Sequence, residues 1–272
     1  MIMDIRPVLF IDSGIGGLPY CNDFLKRNPL EEVCYLADRK NFPYGQRKKE
    51  ELSLMLIELI EKLLKLTDPK IIVLACNSAT VSAIDSLRRR FPNIPFVGTV
   101  PAIKPAANAS KSGKVGVLGT ARTVEDPYNQ NLAEGCEKKC EIKGIAAPDL
   151  VEFVEERFDS ADENEKKEIV RKYIELFRAE GVDSLVLGCT HFLFLLDVFQ
   201  EEAAPFIKIF NSIDGVTKRI EYLLDENSGA LRAGKNYKPA NRLLLTGSEA
   251  AEPEWQNRAK KLGFDLYLSD KL

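Results

Sequence analysis

The sequence predicts an α/β protein of two pseudo-symmetric domains, each a mostly parallel sheet flanked by helices. Short runs rich in Val, Ile and Leu alternate with longer segments in which apolar residues recur at helical spacing. Alternation of this kind is typical of parallel sheets covered by helices on both faces. The order helix, short turn, strand, cysteine occurs once in each half, ending at Cys76 and at Cys189. A chain of 272 residues is long enough for two domains, each with its own core.

The first half alternates strands and helices from its start. Each predicted strand is an apolar run bounded by polar or glycine residues. The two long helices show apolar residues at helical spacing, and Pro69 and Pro92 stop them. In order, the predicted elements are a strand at residues 8–11, a glycine-rich turn at 13–17, a strand at 33–36, a helix over 52–66, a strand ending at Cys76 and a helix over 78–90.

The second half repeats this scheme. Gly181 is a natural end for its long helix, because glycine readily adopts the left-handed conformation that follows many helices. In order, the predicted elements are a strand at residues 115–118, a turn at Gly119-Thr120, a helix over 123–132, a helix over 169–177, a strand ending at Cys189, and strands at 207–210 and 242–245.

Two proline-containing stretches predict where the chain crosses between domains. These are residues 95–105 and the neighbourhood of Pro205. We therefore assign residues 1–99 and 207–272 to the first domain and residues 100–206 to the second.

Composition argues against several classes of protein. The net charge of −3 offers no electrostatic case for binding nucleic acid or an anionic membrane. No apolar run reaches the length of a membrane span, and the first residues lack a signal-peptide pattern, so we expect a cytoplasmic protein. Six cysteines favour free thiols over a disulfide scaffold. The pair Cys136 and Cys140 lacks a second pair or a nearby histidine, so we expect no metal site.

Cys76 and Cys189 stand at the carboxyl ends of predicted strands, where chemistry collects in α/β proteins. Each should lie at the N-terminal edge of the following helix, where free N–H groups and the helix dipole lower a thiol's pKa. Asp12, at the end of the first strand, offers a charge for a substrate ammonium, and His191 is close enough to exchange protons with Cys189. The side chains that can help hold a small carboxylate are those of Asn77, Ser78 and Thr190.

Two thiols in two similar halves suit proton transfer at a carbon stereocentre. A nucleophilic cysteine enzyme needs one thiol and a base, and a redox pair needs its sulfurs within bonding distance. If one thiolate removes a proton from one face and the other thiol delivers one to the opposite face, configuration inverts without a cofactor. The pattern therefore favours an enzyme whose substrate and product are mirror images.

Four motifs resemble the hallmarks of glutamate racemases, in that family's order and at similar spacing. They are Asp12-Ser13-Gly14-Ile15-Gly16-Gly17, Phe42-Pro43-Tyr44-Gly45, Ala75-Cys76-Asn77-Ser78-Ala79 and Gly188-Cys189-Thr190-His191. The resemblance implies an active site in the interdomain cleft and a homodimer. It also implies cofactor-independent interconversion of L- and D-glutamate, supplying D-glutamate for peptidoglycan synthesis.

The same resemblance implies roles for individual residues. Cys76 and Cys189 would be the acid/base pair, with Asp12, His191 and Glu155 assisting. Glu155 lies in an acidic stretch that also fits a solvated helix face. The residues that would contact or orient substrate are Asp12, Ser13, Pro43, Tyr44, Gly45, Asn77, Ser78, Thr120, Thr190 and His191.

Three other functions stay open at this point. A racemase of the same superfamily for aspartate or another small acid would use the same thiols. A nucleotide-binding module is suggested by the glycine-rich turn, although no lysine follows it to reach a phosphate. A thiol-disulfide regulator would link Cys76 to Cys189 on oxidation.

Overall fold

The computed structural model describes residues 4–125, 139–225, 232–234, 237–247 and 253–268. The strands, in chain order, are β1 (Val8–Asp12), β2 (Val33–Ala37), β3 (Ile71–Leu74), β4 (Phe96–Gly98), β5 (Lys114–Gly119), β6 (Glu141–Ala146), β7 (Ser184–Leu187), β8 (Lys208–Phe210), β9 (Arg242–Leu245) and β10 (Asp265–Leu268). The α-helices are α1 (Leu18–Arg27), α2 (Lys49–Thr67), α3 (Asn77–Arg90), α4 (Ile103–Ala109), α5 (Ala121–Glu125), α6 (Pro148–Glu152), α7 (Glu163–Ala179), α8 (Leu196–Ala203), α9 (Ile213–Asp225) and α10 (Pro253–Leu262).

Two parallel sheets flanked by helices confirm the predicted α/β class. The chain divides into two compact units, Met1–Thr99 with Ile213–Leu272, and Val100–Ser212. The first unit holds a six-stranded sheet in the order β10-β9-β2-β1-β3-β4, and the second a four-stranded sheet in the order β6-β5-β7-β8. All strand pairs in both sheets are parallel.

The core of the first unit lies between its sheet and the helices on it. Strands β1, β2 and β3 are buried along their whole length, as continuous apolar runs in a parallel sheet should be. Helix α2 buries one leucine-rich face against them and ends at Asp68, which adopts the left-handed conformation with φ 42°.

The second unit ends later in the chain than the predicted boundary at residue 206. Strand β8 pairs with β7, so the stretch assigned with the tail to the first domain from residue 207 belongs to this sheet up to Phe210. Helix α7 begins with a capping box between Asp162 and Glu165 and is followed by Gly181 at φ 72°. The helix predicted over 123–132 begins at Ala121, and its part beyond Glu125 lies outside the described residues.

One backbone arrangement places both cysteines. The residue before each cysteine donates its N–H to the neighbouring strand, Ala75 to the carbonyl of Ile11 at 2.8 Å and Gly188 to that of Leu118 at 2.7 Å. At Gly188 a Cβ would lie 3.1 Å from the Leu118 carbonyl oxygen, so the strands approach closely there. Each thiol therefore emerges at the carboxyl edge of its own sheet.

The chain leaves Cys76 and Cys189 differently. Cys76 directly precedes the long helix α3, as predicted. Cys189 precedes a 3₁₀ helix, Thr190–Leu195, and regular α-helix begins only at Leu196. Cys189 thus lies at the N-terminal edge of a helix, as predicted, but because this helix is a short 3₁₀ segment the argument from a helix dipole is weaker there. Over the part of the chain that the structure describes, no helix is both long and apolar enough to cross a membrane.

Candidate active site

Cys76 and the two polar residues that follow it are buried at the carboxyl edge of the first sheet. Cys76 is 8% exposed, and the following Asn77 and Ser78 are 3% exposed each. The hydroxyl of Thr80 donates to the carbonyl of Cys76 at 2.9 Å, while the N–H of Thr99 donates to the Thr80 oxygen at 3.1 Å. These bonds hold the backbone of the thiol residue to the first turn of α3.

Asp12, the last residue of β1, is fully buried. Its Oδ1 accepts the Gly14 N–H at 2.9 Å and lies 3.4 Å from the hydroxyl of Ser13, which can donate to it. The hydroxyl of Tyr35 donates to the Gly14 carbonyl at 2.9 Å and accepts the Gly17 N–H at 3.1 Å. The predicted residues Asp12 and Ser13 thus lie on a turn whose backbone is held by hydrogen bonds to the Tyr35 hydroxyl. Tyr35 was not among the predicted site residues.

The motif Phe42-Pro43-Tyr44-Gly45 lies beside this turn. A cis peptide joins Phe42 to Pro43, and Tyr44 and Gly45 form a 3₁₀ turn with Gln46. The Tyr44 N–H points to the Ser13 hydroxyl at a long 3.5 Å, but its phenol is fully buried and donates to Asp38 at 2.7 Å. Tyr44 therefore presents backbone, not its hydroxyl, to the Asp12 turn.

The surroundings of the Tyr44 phenol keep it protonated. Burial raises the pKa of Tyr44 well above its usual value, and the negative charge of Asp38 raises it further. Negative charges on Cys76 and Asp12 also raise the pKa of Tyr44.

The Cys189 site in the second unit contains a buried relay of three groups. The sulfur of Cys189 lies 3.7 Å from Nδ1 of His191, and Nε2 of His191 lies 2.6 Å from Oε1 of Glu155. All three side chains are buried, with exposures of 5%, 5% and 6%. Glu155 is carried by a single π-helical turn, Phe153–Arg157, and so is not on a solvated helix face.

The relay changes the acidity of the histidine. Burial by itself lowers the pKa of His191, but the contacts with Cys189 and Glu155, and the negative charges that both can carry, outweigh burial. The net result is a pKa well above that of a free histidine. A protonated His191 can donate one N–H toward the sulfur of Cys189 and the other to the Glu155 carboxylate at once.

Two predicted substrate contacts remain in the second unit. Thr190 is buried at the start of the 3₁₀ helix that follows the thiol. Thr120 is half-buried at the start of α5, and its hydroxyl lies 3.2 Å from that of Thr123. Among the residues described, no cluster of three or more His, Cys, Asp or Glu side chains is arranged to hold a metal ion. Cys136 lies outside those residues.

Comparison with known proteins gives one consistent family. Residues 24–217 match the model of the family described as Asp/Glu/Hydantoin racemase. Glutamate racemase from Brucella anthropi is 35% identical over 269 residues, which cover 97% of this chain and 94% of that protein. Escherichia coli glutamate racemase, solved in complex with L-glutamate and the activator UDP-MurNAc-ala, superposes with a TM-score of 0.82 at 27% identity and 97% coverage of both chains. The RacE1 glutamate racemase of Bacillus anthracis gives a TM-score of 0.82 at 28% identity, covering 98% of this chain and 97% of its own.

Proposed function

This chain belongs to the Asp/Glu/hydantoin racemase family and is an amino-acid racemase, and we propose that it interconverts L- and D-glutamate by a cofactor-independent, two-cysteine mechanism. Relatives that match nearly the full length of the chain are glutamate racemases, and one of them binds L-glutamate. The observation that supports the mechanism is the equivalent placement of Cys76 and Cys189. Each directly follows a small residue, Ala75 or Gly188, whose N–H is hydrogen-bonded to the neighbouring strand.

The reaction is a proton exchange at the α-carbon of glutamate. One thiolate takes the α-proton from one face, and the electron pair left on the α-carbon is delocalised into the substrate carboxylate. The other cysteine, as a thiol, delivers its proton to the opposite face and becomes a thiolate. The bond to hydrogen is broken on one side and made on the other, so the configuration inverts and no redox change occurs.

Other residues support the two thiols. We assign His191 and Glu155 to Cys189, where a protonated histidine stabilises the thiolate and returns a proton to it. We assign Asp12 to the substrate ammonium, because it is a buried carboxylate on the Cys76 side. The backbone N–H groups after each cysteine, with Asn77, Ser78 and Thr190, bind the substrate carboxylates. The remaining proposed substrate contacts are Ser13, Pro43, Gly45 and Thr120.

The proposal also covers the biological setting. D-glutamate is made for peptidoglycan, the protein acts in the cytoplasm, and two copies form a homodimer. Sedimentation velocity at micromolar concentration tests the last point, since a single species with the mass of one chain contradicts the dimer.

Solvent-deuterium incorporation tests the function. In D₂O, with L-glutamate as substrate, we expect D-glutamate to carry deuterium at the α-carbon while unreacted L-glutamate keeps its protium in the first turnovers. A one-base mechanism would label both pools, or transfer the original proton to the product. The same assay with L-aspartate separates the closest alternative, because faster exchange of aspartate than of glutamate would make the chain an aspartate racemase.

A further inference from the structure

Asp38 is a fully buried carboxylate that the proposed mechanism leaves without a role. It directly follows β2, and its own N–H donates to the Asp12 carbonyl at 2.8 Å. A buried carboxylate is costly unless several donors satisfy it, so its partners show what it is for.

Hydrogen bonds from separate chain segments converge on this carboxylate. The Tyr44 phenol donates to Oδ2 at 2.7 Å, and the hydroxyl of Thr246 donates to Oδ1 at 2.6 Å. The Asn41 amide donates to both oxygens, at 2.9 and 3.2 Å. The Thr246 oxygen also accepts the N–H of Lys40 at 3.1 Å. The loop 39–46 is thus tied to the ends of β2 and β9 through one side chain.

An ionised carboxylate only accepts hydrogen bonds, so it fixes the direction of every proton aimed at it. With Asp38 charged, both the Tyr44 and Thr246 hydroxyls must act as donors toward it. The Tyr44 phenol is then unavailable to a substrate, and the Tyr44 N–H is held on the side of Ser13.

The other sheet shows that the fold itself does not require a carboxylate here. Ala147 follows β6 as Asp38 follows β2, and its N–H donates to the Gly119 carbonyl at 2.9 Å, just as Asp38 donates to Asp12. The same backbone position carries a methyl group in one unit and a fourfold-bonded carboxylate in the other. The Asp38 carboxylate is therefore explained by its hydrogen bonds to the loop 39–46, which follows it in the first unit.

We propose that Asp38 is a positioning residue that holds the loop 39–46 in place beside the Asp12 turn and so sets the affinity for substrate. The proposal rests on the proposed function for its link to substrate, but the holding of the loop can be measured without it.

The test removes partners of Asp38 one at a time. Thr246→Val keeps the shape of the side chain and deletes one donor, and Tyr44→Phe deletes another. The matched control is Tyr237→Phe, because the Tyr237 hydroxyl donates to Glu32 at the opposite end of the same strand β2. We expect each of the first two variants to raise KM for both enantiomers about tenfold with kcat within about threefold, and the control to change neither.

Amide hydrogen exchange supplies the second readout. In Thr246→Val and Tyr44→Phe the amides of residues 39–47 should exchange about tenfold faster than in the wild type, while the central strands keep their protection. In Tyr237→Phe that loop should be unchanged. Either an unchanged KM or an unchanged exchange rate of the loop overturns the proposal. If the wild-type chain does not racemise glutamate, the proposed function fails, and the exchange readout alone decides whether Asp38 holds the loop.

Discussion

The sites of Cys76 and Cys189 share a backbone but not the groups around the sulfur. In both, the cysteine lies two residues beyond a buried central strand, and the residue between them donates to the adjacent strand. At the matching ends of the adjacent strands, however, the first unit has Asp12 where the second has Gly119. Two residues after the thiol, the first unit has a serine and the second has His191.

The difference shows that the fold fixes where a thiol goes and leaves its proton chemistry to local side chains. In the second unit a single histidine, held by Glu155, supplies a positive charge next to the sulfur. In the first unit the position that matches His191 is Ser78, whose hydroxyl carries no charge. The two thiols should therefore respond differently to substitution of their neighbours, although the proposed reaction uses both.

The largest effect should come from removing either sulfur. Cys76→Ala and Cys189→Ala should each lower the rate of glutamate racemisation by about 1000-fold or more, because one face of the α-carbon then has no proton donor or acceptor. The racemisation rate is measured by polarimetry, starting from each enantiomer in turn. Cys140→Ala, at a half-buried thiol before β6, is the control and should stay within about twofold of the wild type. Comparable residual turnover in the two active-site variants and the control would contradict the two-base scheme.

His191→Asn should be the next most damaging change, with kcat about 100-fold lower. Mirror-image substrates have equal free energies, so kcat/KM must fall equally in both directions. The asymmetry should instead appear in the α-deuterium isotope effect, which rises for the enantiomer deprotonated by Cys189 and falls for the other. Ser78→Ala, at the matching position after Cys76, should cost about tenfold at most. Equal losses in the two variants would show that the sites do not differ as described.

Glu155→Gln should lower kcat by about tenfold, because the amide keeps a contact with His191 but loses its charge. Without that charge the pKa of His191 falls, so the basic limb of the rate profile should move to lower pH. Initial rates across the pH range measure the shift. A profile that coincides with the wild type's would remove Glu155 from the relay.

The smallest effect concerns stability. The pKa of His191 is raised above its ordinary value of 6.5 in the folded state, so its protonated form stabilises the native protein. That contribution is complete below about pH 6.5 and is lost as the pH rises through the raised pKa. Urea unfolding should thus show the largest deficit of His191→Asn relative to wild type near pH 6, and a shrinking one at alkaline pH. A deficit that grows with pH would reverse the assigned direction.

Much of the fold follows from local pattern. Continuous apolar runs predicted β1, β3 and β7, and parallel alternation implied that Asp12, Cys76 and Cys189 stand at carboxyl edges. Strand β6 escaped prediction because its sequence, Glu-Ile-Lys-Gly-Ile-Ala, alternates and is largely exposed rather than forming an apolar run.

The supporting residues of the sites were harder to predict, since they depend on tertiary contacts. Glu155 meets His191 across 36 positions, from a π-helical turn that no propensity signals. Asp38 meets Thr246 across 208 positions. The family resemblance suggested Glu155 but not its geometry, and no pattern in the sequence pointed to Asp38.

The proposed mechanism requires the sulfurs of Cys76 and Cys189 to act on opposite faces of the same substrate α-carbon. The most direct test gives both enantiomers of a glutamate analogue with a good leaving group on its β-carbon to Cys76→Ala and Cys189→Ala. Removal of the α-proton then expels the leaving group without needing the second thiol. The account predicts elimination from one enantiomer by one variant and from the opposite enantiomer by the other. Elimination from the same enantiomer by both variants, or from both enantiomers by either, would contradict it.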